Sequence, residues 1–85
     1  MNYLAKVFIT PKATILDPAG KAVANSLHAM GYAAVQDVRL GKYVEIRLSG
    51  DSRGEVEEAV DAMCKRLLAN DVIEDFHFQV GEPEP

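Results

Sequence analysis

The stretch that decides the fold is Val35–Leu48, which reads VQDVRLGKYVEIRL. Successive side chains of a strand point to opposite faces, so the parity of apolar positions indicates which face is buried. Val38, Leu40, Val44, Ile46 and Leu48 share one parity, and from Val38 to Leu48 only Lys42 interrupts this set. The pattern therefore predicts one long central strand with an apolar face and a polar face.

The dipeptide Gly41-Lys42 interrupts a predicted strand that is longer than the usual range of roughly 3–10 residues. A two-residue hairpin turn with glycine first is one interpretation. It pairs Leu40 with Tyr43 and lays charged side chains beside apolar ones on the same face. A continuous strand that bends at Gly41 keeps the parity intact, and glycine is common at such bends. We favour the bent strand, and the hairpin turn stays open as the alternative.

The segments before the central strand read as a strand and a helix. Asn2 to Thr10 alternates in hydropathy and ends at Pro11, which predicts the first strand. Asp17 is a candidate N-cap and Pro18 occupies the first helical position, where its missing N–H costs nothing. The helix has an apolar stripe and a C′ glycine, and these residues are Val23, Leu27, Met30 and Gly31. Gly20 in its first turn is suited to the close approach of another backbone.

The segments after the central strand read as a second helix and a last strand. Ser52 and Glu55 match a capping box, and the buried stripe that follows consists of Val56, Val60, Met63 and Leu67. Val72 to Val80 then alternates as a strand. The sequence predicts an α+β fold of order β-α-β(β)-α-β, with a mainly antiparallel sheet and two amphipathic helices on one face. We expect residues 1–80 to form one domain and residues 81–85 to be a disordered tail.

The sheet face opposite the helices is predicted to be too apolar for a small monomer. Leu4, Phe8, Val35 and Tyr43 are placed there by parity. Because large exposed apolar patches mark interaction sites, we expect these four residues to support self-association into a dimer or tetramer.

Composition excludes several classes of partner and site. The chain has 85 residues, 48% of them apolar, and a formal net charge of −4, which argues against nucleic acid and anionic membranes as partners. Cys64 is the single cysteine, so neither an internal disulfide nor a cysteine-based zinc site is expected. Neither a signal-type segment nor a membrane-span pattern is recognisable, and we expect a cytoplasmic protein.

A search for catalytic chemistry finds structural explanations for each candidate. His28 and His77 lack a metal-binding spacing, and Cys64 sits in a helical pattern typical of a buried thiol. Gly41-Lys42 lacks the other residues of a phosphate-binding P-loop. The sequence therefore predicts no catalytic, cofactor-binding or metal-binding residue in this chain.

Four motifs occur in order along nearly the whole chain, from about Lys6 to Val80. They are LDPAG at 16–20, VQDVRLGKY at 35–43, MCKRLLAN at 63–70 and VIED at 72–75. Together they resemble the PurS-type family, the small subunit of phosphoribosylformylglycinamidine synthase. Ala19 and Phe76 depart from the family pattern, and neither lies in the central motif.

The resemblance implies a role in de novo purine biosynthesis. The family's complex converts formylglycinamide ribonucleotide, ATP and glutamine into formylglycinamidine ribonucleotide, ADP, phosphate and glutamate, and it uses Mg²⁺. A glutaminase subunit releases ammonia, and a large synthetase subunit binds ATP and substrate. The small subunit is expected to be non-catalytic, to bind no cofactor itself, to bridge the other two and to assist ammonia transfer.

The partner-binding surface implied by the resemblance and by charge is centred on Arg39, whose planar guanidinium can pair bidentately with a carboxylate. The predicted surface comprises Asp17, Pro18, Gly20, Gln36, Asp37, Arg39, Gly41, Lys42 and Tyr43. The alternative function is a homodimeric ferredoxin-like regulatory domain that binds an amino acid or a nucleotide.

Overall fold

Three strands form one antiparallel sheet in the computed structural model, which describes residues 1–83. They are β1 (Asn2–Pro11), β2 (Lys42–Ser49) and β3 (Glu74–Gly81), and the order across the sheet is β2-β1-β3. The chain order β-α-β-α-β and the α+β class are confirmed. Gly81 is the last residue of β3, so the predicted tail began too early, and its last two residues lie outside the described part of the chain.

The strand register places the core on one face of the sheet. Val7 of β1 pairs with Val44 on one side and with Phe78 on the other. This face holds the buried side chains of β1, namely Tyr3, Ala5, Val7 and Ile9. The predicted parity of β2 and β3 is therefore confirmed, since Val44, Ile46, Leu48, Phe76, Phe78 and Val80 all join this core.

Both helices begin with the caps that the sequence predicts. Helix α1 (Pro18–Ala29) follows Asp17, whose carboxylate accepts from the Gly20 N–H, and it ends before Gly31 with φ 99°. Helix α2 (Arg53–Met63) follows Ser52, whose hydroxyl accepts from the Glu55 N–H at 3.2 Å. The helix continues as a π-helical turn over Cys64–Leu68. Helix α2 packs across β1 and β3.

The prediction of one long central strand from Val35 to Leu48 is wrong for its first half. The strand starts only at Lys42, and the residues from Val35 to Gly41 have no regular structure. They have no strand beside them, because their backbone is held against α1 instead. The hairpin alternative is also wrong, since no strand leads into Gly41: the preceding strand, β1, ends at Pro11. The Gly41 backbone approaches the Ile9 carbonyl so closely that no Cβ fits.

The prediction that α1 covers the sheet is also wrong. Helix α1 and the segment that follows it project from one end of the sheet as an arm, which we define as residues 12–41. The molecule measures 51 × 31 × 15 Å, and its radius of gyration is 16.4 Å. A compact domain of this length has a radius of gyration of about 12 Å. The apolar stripe of α1 is therefore not used in the chain's own core.

The sheet face opposite α2 differs in two respects from the predicted self-association surface. Val35 lies in the arm, and Leu4 is buried within its own chain, with only 3% of its surface exposed. Neither residue therefore contributes to an open apolar face there. Phe8 remains on this face between Tyr43 and His77, with ring centroids 5.1 Å and 4.8 Å away. A smaller aromatic row thus replaces the predicted patch.

Neither α1 nor α2 has the length and apolar character of a membrane span, and the same holds for every other helix within residues 1–83.

Candidate partner-binding cleft of the arm

A cleft of about 320 Å³ lies between the two limbs of the arm, α1 and the segment 35–41. Four of the predicted surface residues line it, and these are Asp17, Gln36, Asp37 and Arg39. Pro18 is exposed at the start of α1 beside them. The structure thus brings together residues that are about twenty positions apart in the sequence, although by packing a loop on a helix and not by extending a strand.

Asp17 holds the base of the cleft together. One carboxylate oxygen accepts from the Gly20 N–H at 3.1 Å and caps α1, and the other accepts from the Leu40 N–H at 3.0 Å. These backbone bonds, that of Leu40 first, hold the pKa of Asp17 below its ordinary value. Because the carboxylate is occupied and weakly basic, it is suited to positioning the two limbs and poorly suited to accepting a proton.

Gly20 confirms the prediction that another backbone approaches α1 closely. A Cβ at this position would overlap the carbonyl oxygen of Val38, and Gly20 is buried while its helical neighbours are exposed. The opposite end of the cleft is closed by His28, whose Nε2 donates to the Val35 carbonyl at 2.7 Å. The two limbs are therefore joined at both ends.

Arg39 and Asp37 provide the exposed charges of the cleft. The Arg39 Nε lies 3.8 Å from an Asp37 carboxylate oxygen, and the two side chains are 43% and 77% exposed. The Arg39 guanidinium also donates to the Pro11 carbonyl at 3.5 Å. Ion pairs this exposed contribute about 0–1 kcal/mol, so the guanidinium can exchange its partner at little cost.

The other predicted residues lie outside the cleft. Gly41 is at the base of the arm, and Lys42 forms an ion pair of 3.6 Å with Glu74 of β3. Tyr43 points to the aromatic row of the sheet and donates to Glu45 at 2.7 Å. The predicted surface is therefore divided between the arm and the sheet.

Sequence reasoning missed the contribution of α1 to the cleft. Lys21, Asn25 and His28 line it, although they read as a solvated helix face. Their spacing of i, i+4 and i+7 places them on one side of the helix, opposite the apolar stripe. That spacing is the signal that identifies a polar lining, once the helix is known to face another segment.

Outside this cleft, the described residues contain neither a candidate metal site nor an exposed thiol. No group of three His, Cys, Asp or Glu side chains within residues 1–83 is arranged to hold a metal ion. Cys64 is fully buried, and desolvation together with the charge of Asp61 raises the pKa of its thiol. The predicted burial of Cys64 is confirmed.

Comparison with known proteins gives one family across nearly the whole chain. The model of the PurS family, described as phosphoribosylformylglycinamidine (FGAM) synthase, matches residues 4–82. The phosphoribosylformylglycinamidine synthase subunit PurS of Bacillus subtilis is 46% identical over 80 residues, which is 94% of each chain. The corresponding subunit of Methanocaldococcus jannaschii is 37% identical over 96% of this chain and 99% of its own.

Solved structures agree with this assignment. The B. subtilis PurS structure superposes with a TM-score of 0.84 over 94% of this chain and 99% of its own. A chain in the structure of PurLQS from Thermotoga maritima has a TM-score of 0.86 at 21% identity, over 95% of this chain and 99% of its own, and it supports the fold alone. With matches this extensive in both sequence and structure, the chain belongs to the PurS family, whose curated members are named as subunits of phosphoribosylformylglycinamidine synthase.

Proposed function

We propose that this chain is a non-catalytic small subunit of phosphoribosylformylglycinamidine synthase, which bridges the glutaminase and synthetase subunits and assists ammonia transfer between them. Membership of the PurS family supports the assignment to this complex in purine biosynthesis. The bridging role is supported by the shape and charge of the arm, and the assistance of ammonia transfer rests on the resemblance to the family.

The observation that carries the proposal is the arm, which stands off the sheet and exposes a charged cleft. A subunit that bridges two proteins needs separate surfaces, and the arm and the sheet supply them at different ends of a 51 Å molecule. The cleft carries Lys21 and Arg39 together with Asp37, so it offers both signs of charge to a partner. Complementary charges favour specific and rapid association more than raw affinity.

Arg39 is the residue of the cleft best suited to contact a partner subunit. Its pairing with Asp37 is long and exposed, and its planar fork can form two parallel hydrogen bonds with a partner carboxylate. Reversal of its charge sets like charges against each other across that contact, which costs several kcal/mol in interfaces. The sheet core does not involve Arg39, so the fold should survive the change.

The test uses the complex reconstituted with Arg39→Glu and compares two sources of ammonia. Glutamine-dependent synthesis of formylglycinamidine ribonucleotide should fall sharply, because it requires assembly and transfer between active sites. Synthesis from a large excess of free ammonia should fall much less. Arg53→Glu is the matched control, since it makes the same charge change at the exposed start of α2, where the helix dipole favours an acid.

Two outcomes decide the proposal. A folded Arg39→Glu variant that supports full glutamine-dependent synthesis refutes the role of Arg39 in the interface. Equal losses for Arg39→Glu and Arg53→Glu refute the assignment of the interface to the cleft, because both variants carry the same net charge. Circular dichroism and thermal unfolding of the isolated variants show that the fold is retained.

The proposal extends to the cofactors of the complex, to the self-association of this chain and to its location in the cell. On this proposal the assembled complex uses ATP and Mg²⁺, its synthetase subunit binds the ATP, and this chain binds neither. The chain also pairs with itself in the cytoplasm, as a dimer or tetramer. The aromatic row of Phe8, Tyr43 and His77 supports self-association through the sheet face opposite α2.

A regulatory small-molecule site is the second candidate, and the volume of the cleft favours it. At about 320 Å³ the cleft is at the lower end of the range for ligand pockets, which begins near 300 Å³. Such a site predicts saturable binding of an amino acid or a nucleotide to the isolated chain. Titration calorimetry with both ligand classes distinguishes the two candidates, since a bridging subunit gives no saturable heat with either.

A further inference from the structure

Four polar side chains on the two walls of the cleft are available to an occupant. Lys21 and Asn25 line it from α1, one turn apart, and Gln36 and Arg39 line it from the other limb. The first three side chains form neither a hydrogen bond nor an ion pair within the described part of the chain. The Arg39 guanidinium has only its long ion pair and a long hydrogen bond. Both walls therefore offer hydrogen-bonding groups to a ligand.

The charges that can reach an occupant are mainly positive. The cleft has two carboxylates, and that of Asp17 is engaged by two backbone N–H groups. Asp37 is the other carboxylate, and it stands against two cations, Lys21 and Arg39. This local surplus occurs in a chain whose formal net charge is −4. A carboxylate of the occupant is the group that such a pair of cations accepts best.

An apolar surface adjoins these charges. Ile15 and Leu16 line the same cleft and are 37% and 75% exposed. Ala13, Ala24 and Val38 continue the apolar lining. Because removal of apolar surface from water is favourable, an occupant gains by placing an apolar side chain beside its carboxylate.

The size of the cleft selects an extended occupant. Its volume is about 320 Å³. A single turn of an α-helix, taken as a cylinder of 10 Å diameter, fills about 400 Å³ and does not enter. An extended loop presents unpaired backbone N–H and C=O groups, and the side-chain amides of Asn25 and Gln36 can each donate to and accept from such groups. The polar lining therefore suits a stretch of peptide.

We propose that the cleft binds an extended acidic loop of a partner subunit, with a carboxylate of the loop held between Lys21 and Arg39. A neighbouring apolar side chain of the loop packs on Leu16, and Asn25 and Gln36 hold the loop backbone from opposite walls. Lys21 is thereby a second binding residue beside Arg39. The inference rests on the proposed function, because it names the element of the partner that the cleft receives.

Carbodiimide cross-linking of the reconstituted complex tests this contact directly. The reagent joins a lysine amine to a carboxylate that touches it, with loss of water, and peptide mass spectrometry identifies both residues. Lys21 should be joined to an aspartate or glutamate in a non-helical segment of the glutaminase or the synthetase. Lys65 is the internal control, since its amine lies 2.8 Å from the Asp61 carboxylate and should be joined to it with and without partners.

Substitution of Lys21 measures the contribution of the contact. Lys21→Gln should weaken binding of the cross-linked subunit about tenfold, as expected for the loss of one hydrogen bond to a charged group. Lys21→Arg keeps the charge and should restore most of the affinity. Lys65→Gln is the matched control, because it makes the same change outside the arm and should leave the affinity unchanged. Fluorescence anisotropy titration of the labelled subunit follows all four proteins.

A synthetic peptide tests whether the occupant is a loop. The peptide that spans the cross-linked acid should bind the isolated chain and displace the partner subunit. The same peptide with the amide analogue, Asn or Gln, in place of that acid should displace it much less.

The outcomes separate this inference from the proposed function. The inference is overturned if Lys21 is joined only to carboxylates of this chain, if the linked acid lies in a helix of the partner, or if Lys21→Gln binds as the wild type does. Assembly and glutamine-dependent synthesis by the wild type still support the proposed function in each of these cases. Subunits that do not associate refute both. Protection of Lys21 in the isolated chain by an amino acid or a nucleotide, without a link in the complex, overturns the inference in favour of a small-molecule site.

Discussion

The body of the molecule and its arm are stabilised in different ways. The body, made of the sheet and α2, buries apolar side chains to near-zero exposure, as Val7, Val56 and Val60 illustrate. The arm is joined by Asp17, by the close contact of Gly20 with Val38 and by the bond between His28 and Val35. Polar joints leave the surfaces of the arm available, so the arm is suited to binding and the body to holding it in place.

The largest expected effect is a loss of stability on substitution in β2, where two adjacent residues face opposite sides of the sheet. Val44 points to the core and is half-buried, while Tyr43 is 51% exposed on the opposite face. Val44→Asp should lower the free energy of unfolding by about 3 kcal/mol, because it sets a charge against the core. Tyr43→Asp should cost much less. Urea unfolding measures both, and equal losses contradict the register of β2.

A smaller and local effect is expected at the joint between the limbs. Gly20→Ala forces a Cβ against the Val38 carbonyl, and overpacking of this kind costs about 1–2 kcal/mol. Hydrogen exchange should become faster in residues 35–41 and stay unchanged in β1. Gly54→Ala is the control, since this glycine is also in a first helical turn and a Cβ there meets nothing within 4 Å. Faster exchange throughout the sheet contradicts an independent arm.

The smallest effect is expected from acidification. The folded-state pKa of Asp17 lies below its ordinary value, chiefly because its carboxylate accepts from the Leu40 N–H. Its contribution is therefore fully present above an ordinary aspartate pKa of about 3.9 and is lost as the pH falls through the folded-state value. The arm should loosen at acidic pH before the sheet unfolds. NMR shifts of the Leu40 amide follow this, and Asp17→Asn should flatten the dependence.

The body could be predicted from the sequence because its signals are local. Parity specifies which face of β2 and β3 is buried, and the cap at Ser52 depends on residues within one turn. Within the arm, the sequence was sufficient only for two local features, the cap at Asp17 and the close approach of another backbone at Gly20.

The arrangement of the arm could not be predicted because its pattern has two physical solutions. The alternation of Val35 to Leu40 suits a strand, yet strand formation requires a neighbour, and the backbone is bound by α1 instead. The stripe of α1 predicts burial without specifying the surface that buries it. We placed it on the chain's own sheet, where the structure shows no extensive packing of α1.

The central claim is that the arm, through its cleft, is the partner-binding region and the sheet core is its support. Hydrogen exchange of this chain alone and with the glutaminase and synthetase subunits tests it most directly. Binding should slow exchange of the amides in residues 35–41 and leave those of β1 unchanged. Protection confined to the sheet or α2, with the same exchange in residues 35–41 before and after binding, would contradict the account.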